Sequence, residues 1–306
     1  MNKPLIAIVG PTAVGKTGLA IEIAQRIDGE IVNADSRQIY RYMDIGTAKP
    51  TPEEQTVVPH HLFDIIDPDE EFSLALYRDS ATKSISDIHK KEKLPIIVGG
   101  SGQYIWGILE GWTIPEVPPN PQLRQELESR AECEGGDTLY QELQNLDPEA
   151  AAKIDPRNVR RVIRALEVCH STGELFSDLR KKNPPDYDMQ ILGLTTDRTR
   201  LYDRIDRRVD IMIEQGFVEE VRGLLERGYS LDLPAMSSLG YREIGRFING
   251  EIDLPEVSQQ IKFATHKFAR HQYSWFRLSD SRIQWFDIGE DNARIVAQVE
   301  ANVRYL

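Results

Sequence analysis

Apolar positions along the chain fall into two rhythms. Short continuous runs at 5–9, 30–34, 61–66, 94–98 and 189–194 predict buried strands, too short for helices and apolar on both faces. Between them, 18–24 and 74–89 carry apolar residues at helical spacing. Strands alternating with helices predict an α/β fold with crossover connections and a parallel sheet. Residues 282–286 predict one further edge strand, and the chain from about 199 onward is mainly helical in pattern. The alternation breaks twice. Ile114-Pro115-Glu116-Val117-Pro118-Pro119-Asn120-Pro121 holds four prolines in eight residues, which neither a helix interior nor a central strand tolerates. Asn183-Pro184-Pro185-Asp186 marks the second break. The stretch between them, 122 to about 177, reads as helices. The expected organisation is an α/β core of 1–117 and 187–306, with a helical insertion domain of 118–186. No internal repeat or low-complexity tract is evident.

Composition narrows the class. The chain has 306 residues, 40% hydrophobic and 28% charged, as in an ordinary globular protein with ample core. No apolar run approaches membrane-spanning length, and the first strand begins too early for a signal peptide. Two cysteines, Cys133 and Cys169, form no metal-ligand spacing, and a cytoplasmic location is the default expectation. A net charge of −12 excludes indiscriminate nucleic-acid binding, which scales with positive charge, but leaves room for a local basic face.

Candidate chemistry begins at Gly10-Pro11-Thr12-Ala13-Val14-Gly15-Lys16-Thr17, a GxxxxGK[ST] loop between the first strand and first helix. In that context backbone N–H groups and the helix dipole surround a diphosphate, Lys16 neutralises it, and the Thr17 hydroxyl suits a Mg²⁺ ion. The second strand ends in Asp35-Ser36-Arg37-Gln38, at the sheet edge where α/β folds bind ligands. Asp35 can serve as metal ligand, general base or simple helix cap. A second Gly-rich turn, Gly99-Gly100-Ser101-Gly102, offers a hydroxyl and either close approach to a ligand or plain turn geometry. Arg157, Arg160, Arg161 and Arg164 follow helical spacing and suit RNA phosphates or a solvated face. Between 257 and 279, Lys262, His266, Lys267, Arg270, His271 and Arg277 occur with no acidic residue and with interleaved aromatics. This pattern suits a polyanion with exposed bases, although the aromatics equally fit a core. The arginines between 198 and 208 are diluted by acids and read as surface ion pairs, of which one or two can reach a diphosphate. His60-His61 lacks a third ligand at metal-site spacing.

Taken together the motifs resemble the tRNA dimethylallyltransferase (tRNA isopentenyltransferase) family, in its bacterial form. The resemblance rests on the phosphate loop, Asn33-Ala34-Asp35-Ser36-Arg37-Gln38-Ile39-Tyr40, Asp44-Ile45-Gly46-Thr47-Ala48-Lys49-Pro50 and Pro59-His60-His61-Leu62. It continues through Gly99-Gly100-Ser101-Gly102, Arg160-Arg161-Val162-Ile163-Arg164-Ala165-Leu166-Glu167, Leu239-Gly240-Tyr241-Arg242-Glu243, Ala269-Arg270-His271-Gln272 and Trp275-Phe276-Arg277. Departures are Ser101 and Gln103, where the family usually has Thr and Leu, and His271 at a commonly basic position. The resemblance implies a P-loop NTPase-like core whose insertion helps clasp the tRNA anticodon stem-loop. It implies transfer of a dimethylallyl group from dimethylallyl diphosphate to N6 of adenosine 37, with Mg²⁺. On this basis Asp35 is the candidate general base. Ser101 positions a substrate, and Arg208 (or Arg204) holds the diphosphate with residues 10–17. Asp35, Ser36, Arg37, Gln38, Arg124, Arg160, Arg161, Arg164, Lys262, Lys267, Arg270 and Arg277 are the candidate tRNA contacts. A monomer is expected. The alternatives are an adenylate isopentenyltransferase acting on free nucleotide, a small-molecule P-loop kinase, and a nucleotide-gated RNA-binding protein without catalysis.

Overall fold

The computed structural model describes residues 3–113, 120–179, 181–288 and 292–303. Among them six strands form one sheet: β1 (Pro4–Val9), β2 (Gly29–Asn33), β3 (His60–His61), β4 (Leu94–Val98), β5 (Asp188–Thr195) and β6 (Ile283–Asp287). Their order is β3-β2-β4-β1-β5-β6, and every neighbouring pair is parallel. This is the P-loop NTPase-like arrangement. β1 lies inside the sheet and β1, β2 and β4 are almost wholly buried, which explains their continuous apolar runs. With all strands parallel, the turns leaving β1, β2 and β4 open at the same edge.

One expected strand is mostly absent. Of 61–66 only His61 belongs to β3, because Leu62 and Asp64 take positive φ (65° and 53°) and turn the chain away. Ile66 returns to a lone bridge with Tyr40.

The chain divides into two compact units, Met1–Leu109 with Asp186–Leu306, and Glu110–Pro185. Residues 114–119 of the proline-rich break, and with them the expected boundary at 117/118, lie outside the described residues. At the base of the smaller unit the chain runs in and out side by side: Thr113 N donates to Lys181 O (2.8 Å) and Asn183 N to Gly111 O (2.9 Å). Its helices pack around Leu127, Leu139, Leu143, Val162 and Leu166. Among the described residues no helix is long and apolar enough to cross a membrane.

In the larger unit a second core lies around Phe217, Tyr241 and Ile261. It carries the loop after β2. Glu220, on helix Phe217–Glu226, accepts from the backbone N–H groups of Asp44 (2.8 Å), Ile45 (2.6 Å) and Gly46 (3.1 Å), and from the Tyr241 hydroxyl (2.7 Å). Gly46 is required there, since a Cβ would lie 2.2 Å from the Phe217 ring. Glu220→Ala leaves these donors without their acceptor and should lower stability by about 2 kcal/mol. A urea titration reads this as a lower midpoint at unchanged slope, and an unmoved midpoint would show that the loop does not rely on Glu220.

Candidate active site

The phosphate loop is shaped by two close approaches. Gly10 takes φ 140°, and a Cβ there would sit 2.4 Å from Leu194 O, so the loop can leave β1 only without a side chain. Gly15 takes φ 98° and precedes helix Lys16–Ile27 with no side-chain cap, so the first-turn N–H groups remain available to an anion. Pro11 and Val14 are buried, while Thr12, Ala13, Lys16 and Thr17 are half-buried. Lys16 Nζ folds back to donate to Gly10 O (3.1 Å) and Pro11 O (2.7 Å). Burial pushes its pKa down to about 8, with Asp35 opposing the shift and Arg208 adding to it. Burial likewise lowers the pKa of Arg208, whose guanidinium lies near Thr12 Oγ1 (3.4 Å). Arg204, on the same helix Arg198–Glu214, is exposed and donates to Ala13 O (2.8 Å). Both arginines therefore stand at the loop. Arg207, which the sequence gave no reason to separate from its neighbours, also lines the cavity they face.

That cavity has a volume of about 460 Å³. Its charged lining includes Lys16, Asp35, Arg204, Arg207 and Arg208, beside the Thr17 hydroxyl. Its apolar lining includes Ile31, Pro50, Phe63, Val98 and Ile211. Such a mixed wall suits an amphipathic anion better than a fully polar nucleotide tail.

Asp35 is aimed by its neighbours. Its N–H donates to Asn33 Oδ1 (2.9 Å), and its Oδ1 accepts from Arg37 N (2.9 Å). Asn33 Nδ2 in turn donates to Leu62 O (3.0 Å), and the buried Tyr77 hydroxyl donates to Asn33 O (3.0 Å). The Ser101 hydroxyl is engaged by Ser36: it accepts from Ser36 N (3.0 Å) and donates to Ser36 Oγ (3.2 Å). Ser101 thus connects the second Gly-rich turn to the Asp35 segment.

The glycines of that turn are explained by the chain's own packing. A Cβ on Gly99 would lie 2.1 Å from Ala34 O, one on Gly100 2.1 Å from Gln272 Nε2, and one on Gly102 2.3 Å from the Trp275 ring. Gln272 is the residue that sequence reasoning missed. Buried on helix Leu254–Trp275, it accepts from Thr12 N (2.7 Å) and donates through Nε2 to Gly100 O (3.0 Å), bridging the two Gly-rich turns. Its signal was a polar residue on the buried stripe of Val257, Ile261 and Ala269.

The candidate tRNA residues separate into engaged and exposed. Arg37 donates to Pro234 O (3.0 Å) and Ser237 Oγ (3.1 Å), while Gln38 donates to Thr47 O and Ala48 O (both 3.0 Å). Glu167, fully buried, takes Arg124 (2.9 Å) and Arg164 (2.7 Å). Arg160 and Arg161 are exposed on helix Val159–Thr172. Arg157 is not on that helix: it pairs with Asp155 ahead of the Asn158 cap. On helix Leu254–Trp275, Lys262 pairs with Asp210 (2.6 Å), His266 Nε2 lies 2.8 Å from Asp206 Oδ1, and Arg270 donates to Tyr202 OH (2.6 Å). The acids missing from 257–279 are supplied by helix Arg198–Glu214, which carries Asp206 and Asp210. Lys267 and Arg277 are exposed, as is Phe263, while Phe276 is buried. His61 pairs with buried Glu30 (2.7 Å), and no cluster of three or more metal-ligating side chains occurs among the described residues. Both cysteines are free.

A family model described as IPP transferase matches residues 38–279, and one described as isopentenyl transferase matches residues 3–62. The chain is 56% identical over 274 residues to the tRNA dimethylallyltransferase of Roseiflexus castenholzii, covering 90% of each. It is 52% identical over 297 residues to that of Chloroflexus aggregans, covering 97% of this chain and all of the relative. Among solved structures it resembles the tRNA isopentenylpyrophosphate transferase of Bacillus halodurans, with TM-score 0.74, 40% identity, and coverage of 99% and 96% of the two chains. It also resembles a eukaryotic dimethylallyltransferase acting on tRNA, with TM-score 0.81, 28% identity, and coverage of 94% and 74%. A phosphate loop and an aimed carboxylate on one cavity, in a chain matched along nearly its whole length, make it a member of the IPP transferase, or tRNA dimethylallyltransferase, family.

Proposed function

We propose that the protein transfers the dimethylallyl group of dimethylallyl diphosphate to N6 of adenosine 37 in tRNA anticodon loops, releasing diphosphate. The observation that carries this reading is the single cavity shared by Lys16, Arg208 and Asp35, with an apolar wall beside them. Residues 10–17 cradle the diphosphate, and Lys16 and Arg208 stabilise the charge that gathers on it as it leaves. The C1–O bond of the donor breaks, its electron pair departs with the diphosphate, and the N6 lone pair forms the new C–N bond. Asp35 accepts the N6 proton that this bond makes acidic. Thr17 and Asp35 are hard oxygen donors on the same cavity, a set that fits Mg²⁺, which takes few protein ligands and completes its shell with phosphates and water. Thr17 would hold that ion, whose contribution is to neutralise the diphosphate. Ser101 acts through Ser36 to keep Asp35 in place, and Gln272 acts through Thr12 and Gly100.

Exposed Arg160 and Arg161 on the insertion, and Lys267 and Arg277 on the core, are the RNA-facing cations. Arg124 and Arg164, paired with Glu167, support the insertion's own cations. The enzyme works as a monomer in the cytoplasm, where its free cysteines stay reduced. The relatives' names favour tRNA over free nucleotide as acceptor. Purified protein with Mg²⁺ and dimethylallyl diphosphate, offered unmodified tRNA or AMP, should give prenylated adenosine from tRNA alone by nucleoside mass spectrometry. Product only from AMP, or ATP turnover without prenylation, would overturn the assignment.

Asp35→Ala should lower kcat by about 10²–10⁴-fold while tRNA affinity changes little. An equal loss of affinity and rate would make Asp35 mainly an RNA contact. Gln272→Met should weaken inorganic diphosphate binding by roughly 5-fold or more, through loss of the bond that fixes the loop. Unchanged calorimetric affinity would limit Gln272 to packing.

The Lys16 shift has a pH consequence. Below about 8 the ammonium is charged and attracts diphosphate, and above it the free protein loses that charge. Bound diphosphate favours the charged form, so its binding above pH 8 takes up a proton and its affinity falls as pH rises. Calorimetry in buffers of different ionisation heat measures the uptake, and proton-neutral binding at pH 8.5–9 would contradict this role for Lys16.

A further inference from the structure

Helices Leu74–Lys90 and Gly102–Leu109 bring two tyrosines face to face behind the Asp35 segment. The rings of Tyr77 and Tyr104 stack with centroids 3.6 Å apart and 10° between their planes. The Tyr77 hydroxyl is in use: it donates to Asn33 O (3.0 Å), on the residue whose side chain aims Asp35. Tyr104 is also tied to that segment through the second Gly-rich turn. Its N–H donates to Ser101 O (2.9 Å), and Ser101 Oγ accepts from Ser36 N (3.0 Å). Both anchors of Tyr104, the Tyr77 ring and the Ser101 turn, therefore also hold the residues that flank Asp35.

The Tyr104 hydroxyl has no such task. It makes no hydrogen bond among the described residues, and it is not one of the unbonded polar atoms sealed from solvent, since Tyr104 keeps 6% of its exposure. Tyr40, also 6% exposed, likewise leaves its hydroxyl unbonded. Burial raises the pKa of both phenols; at Tyr104 the neighbouring Tyr40 and Asp35 add to the rise and Arg37 opposes it. The Tyr104 phenol thus stands among Tyr40, Asp35 and Arg37 and keeps its proton at neutral pH. A hydroxyl on so buried a side chain, bonded to nothing in the protein and open to solvent, is a donor left for a ligand.

A neutral donor beside a carboxylate makes a two-point edge. Adenine carries its match, since N6 has protons to give and the ring nitrogens on either side, N1 and N7, accept. Guanine has an oxygen in place of N6 and would set lone pairs against Asp35. Dimethylallyl diphosphate belongs to the cavity of the phosphate loop, which neither Tyr40 nor Tyr104 lines.

We propose that the Tyr104 hydroxyl donates a hydrogen bond to a ring nitrogen flanking N6 of the acceptor adenine, while Asp35 takes the N6 proton. The inference rests on the prenyl-transfer reading above. Tyr104 transfers no proton itself. It fixes the plane of the base so that the N6 lone pair meets the donor carbon, and with Asp35 it selects adenine.

The test compares the wild type with Tyr104→Phe, using Mg²⁺, dimethylallyl diphosphate and tRNA carrying adenosine, 1-deazaadenosine or 7-deazaadenosine at position 37. The variant keeps the ring on Tyr77 and removes only an unbonded oxygen, so its thermal midpoint should match the wild type. Its kcat/KM for adenosine tRNA should fall roughly 5-fold or more, with KM for dimethylallyl diphosphate unchanged. One of the two deaza bases should cost the wild type roughly 5-fold more than it costs the variant, because both changes remove the same bond. An unchanged kcat/KM in Tyr104→Phe, or losses from the variant that add to those from both deaza bases, would overturn this inference and leave the prenyl-transfer reading standing. Absence of transfer to adenosine tRNA by the wild type would sink the prenyl-transfer reading itself.

Discussion

The site depends on one amide. Gln272 reaches from a helix near the end of the chain to Thr12 and Gly100, fixing two Gly-rich turns against each other. Only an amide fits: Oε1 must accept from a backbone N–H while Nε2 donates to a carbonyl, from a side chain that is itself buried. The contact also dictates composition elsewhere. Gly100 and Gly102 have no side chains because the end of this helix, through Gln272 and Trp275, occupies the space a Cβ would need. The same helix is held along its length by the one that carries Arg204 and Arg208, through Lys262–Asp210 and Arg270–Tyr202. Phosphate loop, second turn and arginine helix therefore form one hydrogen-bonded frame.

Electrostatics gives that frame its purpose. Lys16 and Arg208 lie in surroundings that disfavour their charge: burial lowers both pKa values, Arg208 adds to the lowering at Lys16, and Arg204 adds to it at Arg208. Asp35 opposes both shifts but is a single carboxylate. A fold that concentrates cations around vacant helix N–H groups gains by binding a polyvalent anion, and loses little when the anion's charge grows during reaction. The overall −12 charge is compatible with this because the acids are placed elsewhere. Many of them, such as Asp206, Asp210 and Glu167, face basic side chains that the sequence alone would have left for RNA.

Legibility followed the range of the interactions. The phosphate loop, β1 and the Asp35 segment were readable because strand, turn and helix lie within a few dozen residues and their chemistry is local. The edge strand β6 was readable from its apolar run. Residues 61–66 misled because an apolar run does not reveal that Leu62 and Asp64 adopt positive φ. Arg157 fitted a helical stripe by spacing, but the helix starts two residues later, at Val159 after the Asn158 cap. Gln272, Glu220 and Glu167 each act on a partner at least 43 residues away in sequence (Thr12, Asp44 and Arg124), even though Glu167 also takes nearby Arg164, so no window around them carries their whole role. Ser101 was legible as a hydroxyl in the turn after β4, but its partner, Ser36, is set by the strand order.

That strand order explains why the chemistry needs both Gly-rich turns. β4 lies between β1 and β2, so the turn after β4 is adjacent to both the phosphate loop and the Asp35 segment. It holds the former through Gly100 and Gln272 and the latter through Ser101 and Ser36. The proposed proton acceptor and the proposed diphosphate cradle are thereby both tied to one backbone segment. Transfer from a diphosphate to a weakly nucleophilic amine requires the amine and the leaving diphosphate to be aligned on opposite sides of one donor carbon, and small misplacements of the groups that hold either are expensive in rate. A kinase-like loop alone would hold the diphosphate as well. What turns it toward alkyl transfer is that the carboxylate, the loop and the apolar wall containing Phe63 and Pro50 meet on a single cavity, held there by bonds that bind no substrate.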